Sequence, residues 1–181
     1  MMKNFVKAMV GIGLLLCGMV TALQAGQYDF EVKDKKISFA WKVEGDRLAV
    51  KLTAETEGWV GIGFNPSKEM KDANFILAYV KDGETKIFDE FGDSENSHTL
   101  DEKLGGTSDV TLVGGTEVGG ITTVEFTIPL KSTDKYDRVI NVNGDTIVLL
   151  AYATRDSFIT KHTYRTALKV NLGTGASKKA N

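Results

Sequence analysis

The segment Ile37-Ser-Phe-Ala-Trp-Lys-Val43 carries the clearest structural signal in the chain, because strongly apolar side chains occupy every second position in it. Side chains along a β-strand point alternately to the two faces of a sheet, so this period predicts a strand with one buried face. The same alternation recurs in Leu48 to Ala54, Val124 to Leu130 and Leu168 to Leu172. These repeated patterns predict a protein built from β-strands.

Three denser apolar runs lie between these segments, at Trp59 to Phe64, Phe75 to Val80 and Ile147 to Ala153. Runs of this kind are typical of central strands that are covered on both faces. Turn signals such as Glu44-Gly-Asp46 and Asn143-Gly-Asp145 separate the strands, and the chain has 19 glycines. No helical pattern of useful length occurs beyond the amino terminus, so we expect an all-β, immunoglobulin-like antiparallel β-sandwich.

The first 25 residues predict an export signal peptide. Lys3 and Lys7 supply a positive start, and Phe5 to Val20 is apolar but too short and wrongly flanked for a membrane span. We therefore expect a periplasmic or secreted protein that has no membrane span in its mature form. Residues 26–172 are expected to form one domain, and residues 173–181 a flexible tail.

Loss of the signal would also remove Cys17, the only cysteine. Leu16 precedes it where a lipoprotein signal prefers a small residue, so we do not expect lipidation. The mature domain would have no disulfide and no covalently attached haem. Without Lys3 and Lys7 the formal charge changes from −2 to −4, because 22 basic residues become 20 against 24 acidic ones. This acidity argues against nucleic-acid binding.

Met70 and His162 are the residues whose chemistry is least expected from their surroundings. Met70 lies in the polar loop Asn65 to Asp72, and His162 opens the last strand pattern, where strand parity would place it on the same inward face as Leu168. A loop methionine can simply pack against the body of a domain, and a strand-end histidine can simply bond to a carbonyl. A thioether and an imidazole are also a recognised axial pair for haem iron.

The surroundings of Met70 favour a flat apolar ligand. Gly61 and Gly63 leave room for a close approach beside the preceding strand, while Phe64 and Phe75 bracket the loop with aromatic surface.

Two weaker metal candidates lie in the polar region that follows. His98 is surrounded by polar residues and is expected to be solvated, which leaves it as a fallback ligand. Asp89, Glu90, Asp93 and Glu95 are acidic, but their spacing matches no EF-hand, so we expect a solvated acidic loop rather than a calcium site.

The chain resembles the DOMON family from about Val43 to Leu172, through the order and spacing of several motifs. These are Gly58-Trp-Val-Gly-Ile-Gly-Phe64, Met70-Lys-Asp-Ala-Asn74, Phe88-Asp-Glu-Phe91, Glu125-Phe-Thr-Ile-Pro-Leu130 and His162-Thr-Tyr-Arg165.

The resemblance implies a sandwich that binds haem or sugar. In the cytochrome branch, which is similar to the haem domain of cellobiose dehydrogenase, a loop methionine and a late histidine are the axial ligands of a non-covalent b-type haem, and those positions fall on Met70 and His162. A branch similar to the haem subunit of ethylbenzene dehydrogenase uses methionine and lysine, which makes Lys161 a rival ligand. Strand parity would point Lys161 away from the face that carries His162. A glycine frequent in the closing motif is Thr166 here.

A haem with both axial positions filled favours one-electron transfer to a redox partner protein over catalysis, so we expect a relay that is not itself an enzyme. Other expected haem contacts are Phe64, Phe75, Tyr164 and Arg165. The alternatives are a haem-free module that binds a sugar or another small ligand through aromatic residues, and an extracellular structural or adhesion domain. The sugar-binding candidates are Trp59, Tyr152 and Tyr164.

Overall fold

The computed structural model describes residues 28–180, which form an antiparallel β-sandwich, as predicted. The strands are β1 (Phe30–Asp34), β2 (Ile37–Glu44), β3 (Arg47–Ala54), β4 (Val60–Phe64), β5 (Asn74–Lys81), β6 (Glu84–Phe91), β7 (Thr99–Leu100), β8 (Thr111–Val118), β9 (Ile121–Pro129), β10 (Asp145–Tyr152), β11 (Tyr164–Asn171) and β12 (Ser177–Lys179). One sheet has the order β1-β2-β3-β9-β8, and the other has the order β12-β11-β10-β4-β5-β6-β7.

The predicted signal peptide, with Cys17, lies outside the described residues. Within residues 28–180, no helix is both long enough and apolar enough to cross a membrane. The helical structure of this part of the chain is a 3-10 turn at Asp101–Leu104, within the polar region that also contributes the short strand β7.

The main core lies between the two sheets and is built from the residues of their strands that face inward. It joins residues of the smaller sheet to residues of the larger one; its most completely buried large side chains are Trp41, Phe39, Phe64, Phe126, Ile37, Leu48, Leu52, Ile62, Ile76, Ile128, Leu150 and Leu172. Phe39 stacks on Trp41 with ring centroids 4.6 Å apart. Burial of this apolar surface is the main driving force for closing the sandwich.

The three dense apolar runs form β4, β5 and β10, which are neighbouring central strands of the larger sheet. Their second faces carry a separate apolar cluster on the outside of the sandwich, which includes Trp59, Phe75 and Leu77. The prediction that these runs are covered on both faces is thus confirmed for β4 and for nearly all of β5, whereas β10 alternates between buried and partly exposed residues.

The expectation of a flexible tail at residues 173–181 is wrong for the described part of it. Ser177–Lys179 pairs with β11 as an edge strand, and the Ala180 amide donates a hydrogen bond of 2.9 Å to the Ala167 carbonyl. The Lys179 ammonium group also contacts the Asp34 carboxylate. The polar composition of the tail suits an edge strand, because such a strand needs backbone partners rather than buried side chains.

Candidate functional site

A cavity of about 530 Å³ opens on the outer face of the larger sheet. Gly61 of β4 lies in its floor between Leu77 of β5 and the outward residues Leu149 and Ala151 of β10. Gly61 is buried, and a Cβ atom at this position would lie 3.3 Å from the Trp59 ring and 3.4 Å from Leu77, so both side chains pack close over the central strand. The floor of the cavity is largely apolar, and residues of the surrounding loops line its sides.

Met70 lines one side of this cavity from a tight turn in which the Lys71 amide donates to the Lys68 carbonyl over 2.9 Å. Gly92 packs directly against the Met70 backbone: a Cβ atom at position 92 would lie 2.9 Å from the Met70 carbonyl carbon and would overlap its oxygen. Met70 is half-buried and belongs to the outer apolar cluster. The thioether is thus held at the cavity by a turn that needs glycine beneath it.

His162 also lines the cavity, although the parity argument that placed it on the inward face is wrong. Strand β11 begins only at Tyr164, so His162 belongs to the preceding loop and is free of the strand alternation. The Thr163 amide donates to the Tyr152 carbonyl over 2.8 Å, and the Trp59 indole donates to the Thr160 carbonyl over 3.1 Å. These two bonds hold the loop against the outer face.

Burial, followed by the nearby Arg165 guanidinium, lowers the pKa of His162 below its ordinary value of 6.5. The imidazole is therefore neutral at neutral pH, which is the form that ligates a metal.

Phe75 and Arg165 line the cavity as well. The Phe75 ring lies over Gly63, where a Cβ atom would overlap it. Arg165 forms an exposed ion pair of 3.6 Å with Glu69, which also lines the cavity. The apolar interior therefore has a charged rim.

Phe64 and Tyr164, which the sequence predicted as haem contacts, lie on the opposite face of the sheet. Phe64 is fully buried in the core between the sheets, with its ring 6.3 Å from that of Phe39. Tyr164 packs against the same core, and its hydroxyl donates to Asp34 over 2.8 Å. Strand alternation explains why Phe64 and Tyr164 face the core. Successive residues of a strand point to opposite faces, and their neighbours Gly63 and Arg165 face outward.

His98 lines the cavity, so the expectation that it is solvated is wrong. Its Nδ1 bonds to the buried carboxylate of Glu90, and its ring centroid lies 5.4 Å from that of Phe75. Sequence reasoning missed this position because the local sequence is polar and Glu90 lies across a loop. Lys161, the rival ligand, is exposed and is not among the residues that line the cavity.

The aromatic residues considered for sugar binding do not form an exposed platform. Trp59 is 5% exposed and Tyr152 is 7% exposed, with Tyr152 packed in the core between the sheets. Trp59 touches the cavity, but its indole N–H is used to hold the loop that carries His162.

The residues of this cavity fit a non-covalent haem. Its volume is within the range of about 300–1,000 Å³ typical of small-molecule and cofactor pockets. Its floor is largely apolar, and its walls supply a soft thioether from Met70 and a neutral imidazole from His162. This donor pair suits iron in a porphyrin better than a hard cation.

Comparison with a solved structure supports the fold. The cytochrome b domain of pyranose dehydrogenase from Coprinopsis cinerea matches with a TM-score of 0.59 at 13% identity, covering 77% of this chain and 78% of that chain. The cytochrome domain of Myriococcum thermophilum cellobiose dehydrogenase matches with a TM-score of 0.49 at 13% identity, covering 66% and 62% of the two chains.

Sequence relatives include two proteins named DBH-like monooxygenase protein 1. The Homo sapiens protein is 27% identical over 151 residues, covering 80% of this chain and 24% of that protein. The Mus musculus protein is 29% identical over 98 residues, covering 54% and 15%. The chain thus spans about a quarter or less of these relatives. The DOMON domain model matches residues 33–153, more than half of the chain, and this chain therefore belongs to the DOMON domain family.

Proposed function

We propose that this protein is an exported, b-type haem-binding electron relay in which Met70 and His162 are the axial ligands of a non-covalent haem. The observation that carries the proposal is that both side chains line one apolar-floored cavity, although 92 positions separate them in the sequence (162 − 70). The fold shared with a cytochrome b domain supports it further.

Five residues of the cavity have a defined part in this proposal. When bound, the haem supplies reversible one-electron chemistry, since filled axial positions leave no site for substrate or oxygen. The thioether of Met70 favours the ferrous state, and burial keeps His162 neutral and able to ligate. Gly61, Leu149 and Ala151 would give the porphyrin ring an apolar floor.

The rim of the cavity favours electron exchange with another protein. Arg165 is exposed and bound only at the surface to Glu69, so its guanidinium is available to a haem propionate. A haem in this cavity would lie near the protein surface, where a redox partner can approach it transiently. We place this exchange in the periplasm or outside the cell, after removal of the predicted signal.

The monooxygenase names of the relatives do not alter this proposal. Those proteins are at least about four times longer than the segment shared with this chain. We therefore propose that the chain acts as a relay module and has no oxygenase activity of its own.

The visible spectrum of the protein, produced with its signal peptide and adequate haem, tests the proposal. We expect a red protein with a six-coordinate b-type spectrum that dithionite reduces and air or ferricyanide reoxidises. Met70→Ala and His162→Ala are each expected to convert the spectrum to a five-coordinate or otherwise altered form.

Lys161→Ala is the matched control and should leave the spectrum unchanged. His98→Ala tests the second imidazole at the cavity and should preserve the six-coordinate form. A protein whose spectrum responds only to Lys161→Ala or only to His98→Ala would overturn the assignment of His162. A colourless protein that also fails to take up haemin would overturn the relay.

A further inference from the structure

Three aspartates from separate parts of the chain converge in space. They are Asp89 of β6, Asp101 at the start of the 3-10 turn, and Asp137 in the loop after β9. A carboxylate oxygen of each lies within 4.8 Å of an oxygen of the others. Asp101 is only 1% exposed and Asp89 only 2% exposed.

Most of the oxygens in this acidic cluster have no hydrogen-bond partner. Both carboxylate oxygens of Asp101 are buried and unpartnered, as are one oxygen of Asp89, one of Asp137 and one of the neighbouring Asp109. A buried carboxylate without a partner is strongly unfavourable, so such a group requires a compensating ligand or proton.

Asn74 provides a second observation, from a neutral side chain. Its side chain is 97% buried (3% exposed), and its Nδ2 donates to Asp137 Oδ1 over 2.5 Å. Its carbonyl oxygen Oδ1 is buried and has no hydrogen-bond partner. A neutral oxygen donor is thus added to a set of carboxylates, which is the composition of a hard-cation site.

Nothing basic offsets this charge within the described part of the chain. The ion pairs of residues 28–180 include none of Asp89, Asp101, Asp109 or Asp137. Burial, followed by repulsion from neighbouring acids, raises the pKa of Asp101 to about 7. The charged neighbours that act on Asp101 are all acids, Glu90 among them. The bare cluster is therefore electrostatically costly.

We propose that this cluster binds one divalent cation of the calcium type. Asp89, Asp101 and Asp137 would supply the charged ligands, and Asp109 and Asn74 would add side-chain oxygens. Opposite ligands of a calcium ion lie roughly 4.6–5.2 Å apart, twice its bond length, which the spacing of these carboxylates accommodates. Calcium prefers several carboxylate and amide oxygens, whereas magnesium usually keeps water in most positions.

The local sequence could not indicate this site. Of the four neighbouring acids considered as a calcium loop, only Asp89 contributes a ligand, and its partners come from residues 12 and 48 positions away (101 − 89 and 137 − 89). Asp93 accepts a hydrogen bond from Thr99 over 2.6 Å, and Glu95 pairs with Lys68 over 2.9 Å. The cation would fasten the polar region after β6 to the loop after β9.

Metal content and thermal unfolding of the whole protein test the proposal, with or without haem. After dialysis against metal-free buffer we expect one tightly held calcium per chain, or its uptake when calcium chloride is added. At about a hundredfold excess of calcium over its Kd, the unfolding midpoint should rise by roughly 5–10 °C, and EDTA should reverse the rise.

Asp101→Asn separates cation binding from folding. It removes buried charge without changing shape, so the metal-free variant should unfold at the same temperature as wild type or above it, while the calcium-induced rise is lost. Asp82→Asn, an exposed turn position with a φ of 52° that asparagine tolerates, is the control and should keep the full rise.

Three results would overturn the proposal. The first is an Asp101→Asn variant that keeps the calcium response. The second is a wild-type protein that binds no divalent cation and shows no shift, which would mean that protons alone neutralise the cluster. The third is a larger shift with magnesium than with calcium.

Discussion

At the scale of single residues, Gly92 is what allows Met70 to lie at the cavity. The backbone of the Met70 turn passes so close to Gly92 that any side chain there would overlap the Met70 carbonyl oxygen. The Gly92 amide also donates to the Ala73 carbonyl over 2.9 Å, and the Asp72 amide donates to the Gly92 carbonyl over 2.7 Å. Glycine is thus required by close packing rather than by its backbone angles.

Gly92→Ala is therefore expected to displace the Met70 turn and to lower the free energy of unfolding by roughly 1–3 kcal/mol. Urea unfolding measures the loss, and the spectrum of the haem-loaded protein should shift as it does in Met70→Ala. Gly45→Asn is the control, because position 45 has open space and a φ of 62° that asparagine tolerates. Equal effects of the two variants would show that Gly92 has no special link to Met70.

At the scale of elements, the loop between β10 and β11 positions His162. Trp59 stands at its base, with its indole donating to Thr160 and its ring centroid 6.3 Å from that of Phe158. Phe158 in turn packs edge-on against Phe88, with ring centroids 5.1 Å apart. The tail strand β12 closes the neighbouring side, where Ala180 lines the cavity.

Trp59→Phe keeps an aromatic ring but removes the bond to Thr160, so we expect a loss of at least about 1 kcal/mol in unfolding free energy. Faster amide hydrogen exchange should be confined to residues 155–163. Trp41→Phe is a matched control, because Trp41 also donates its indole N–H to a carbonyl, that of Leu172, over 2.8 Å. Trp41→Phe should destabilise the fold without selectively increasing hydrogen exchange in residues 155–163. A selective increase in that loop in Trp41→Phe would contradict the role of Trp59.

At the scale of the whole molecule, the larger sheet packs two different apolar faces. The inward face closes the sandwich, and the outward face forms the floor of the cavity. The sequence predicted the sandwich because alternation and turn residues are local signals. It also predicted an apolar second face from the dense run Trp59 to Phe64.

The sequence could not predict how loops and edges come together around this face. The apolar pattern predicts the wrong orientation for His162, because the start of β11 is set by the pairing of Tyr164 with Tyr152. The polar sequence around His98 predicts a solvated side chain because its partner Glu90 lies on β6, on the far side of a loop. Such contacts join residues that are distant in sequence or in different elements, so no local pattern records them.

Ala151→Phe tests the separation of the two faces. Its side chain would fill the outer cavity without entering the core, so we expect the unfolding free energy to stay within about 1 kcal/mol of wild type. Haemin binding should weaken at least about tenfold, as measured by absorbance titration. Lys51→Phe, on the outer face of the smaller sheet, should leave haemin affinity unchanged. Unaltered haemin affinity in Ala151→Phe would show that haem does not occupy this cavity.

The most direct test of the central claim is a haemin titration of the haem-free protein, followed by the absorbance of the ferric and ferrous forms. We predict saturation at one haemin per chain, with low-spin, six-coordinate spectra in both states that are lost in Met70→Ala and His162→Ala. Absence of saturable binding, or a six-coordinate spectrum that persists in both variants, would contradict it.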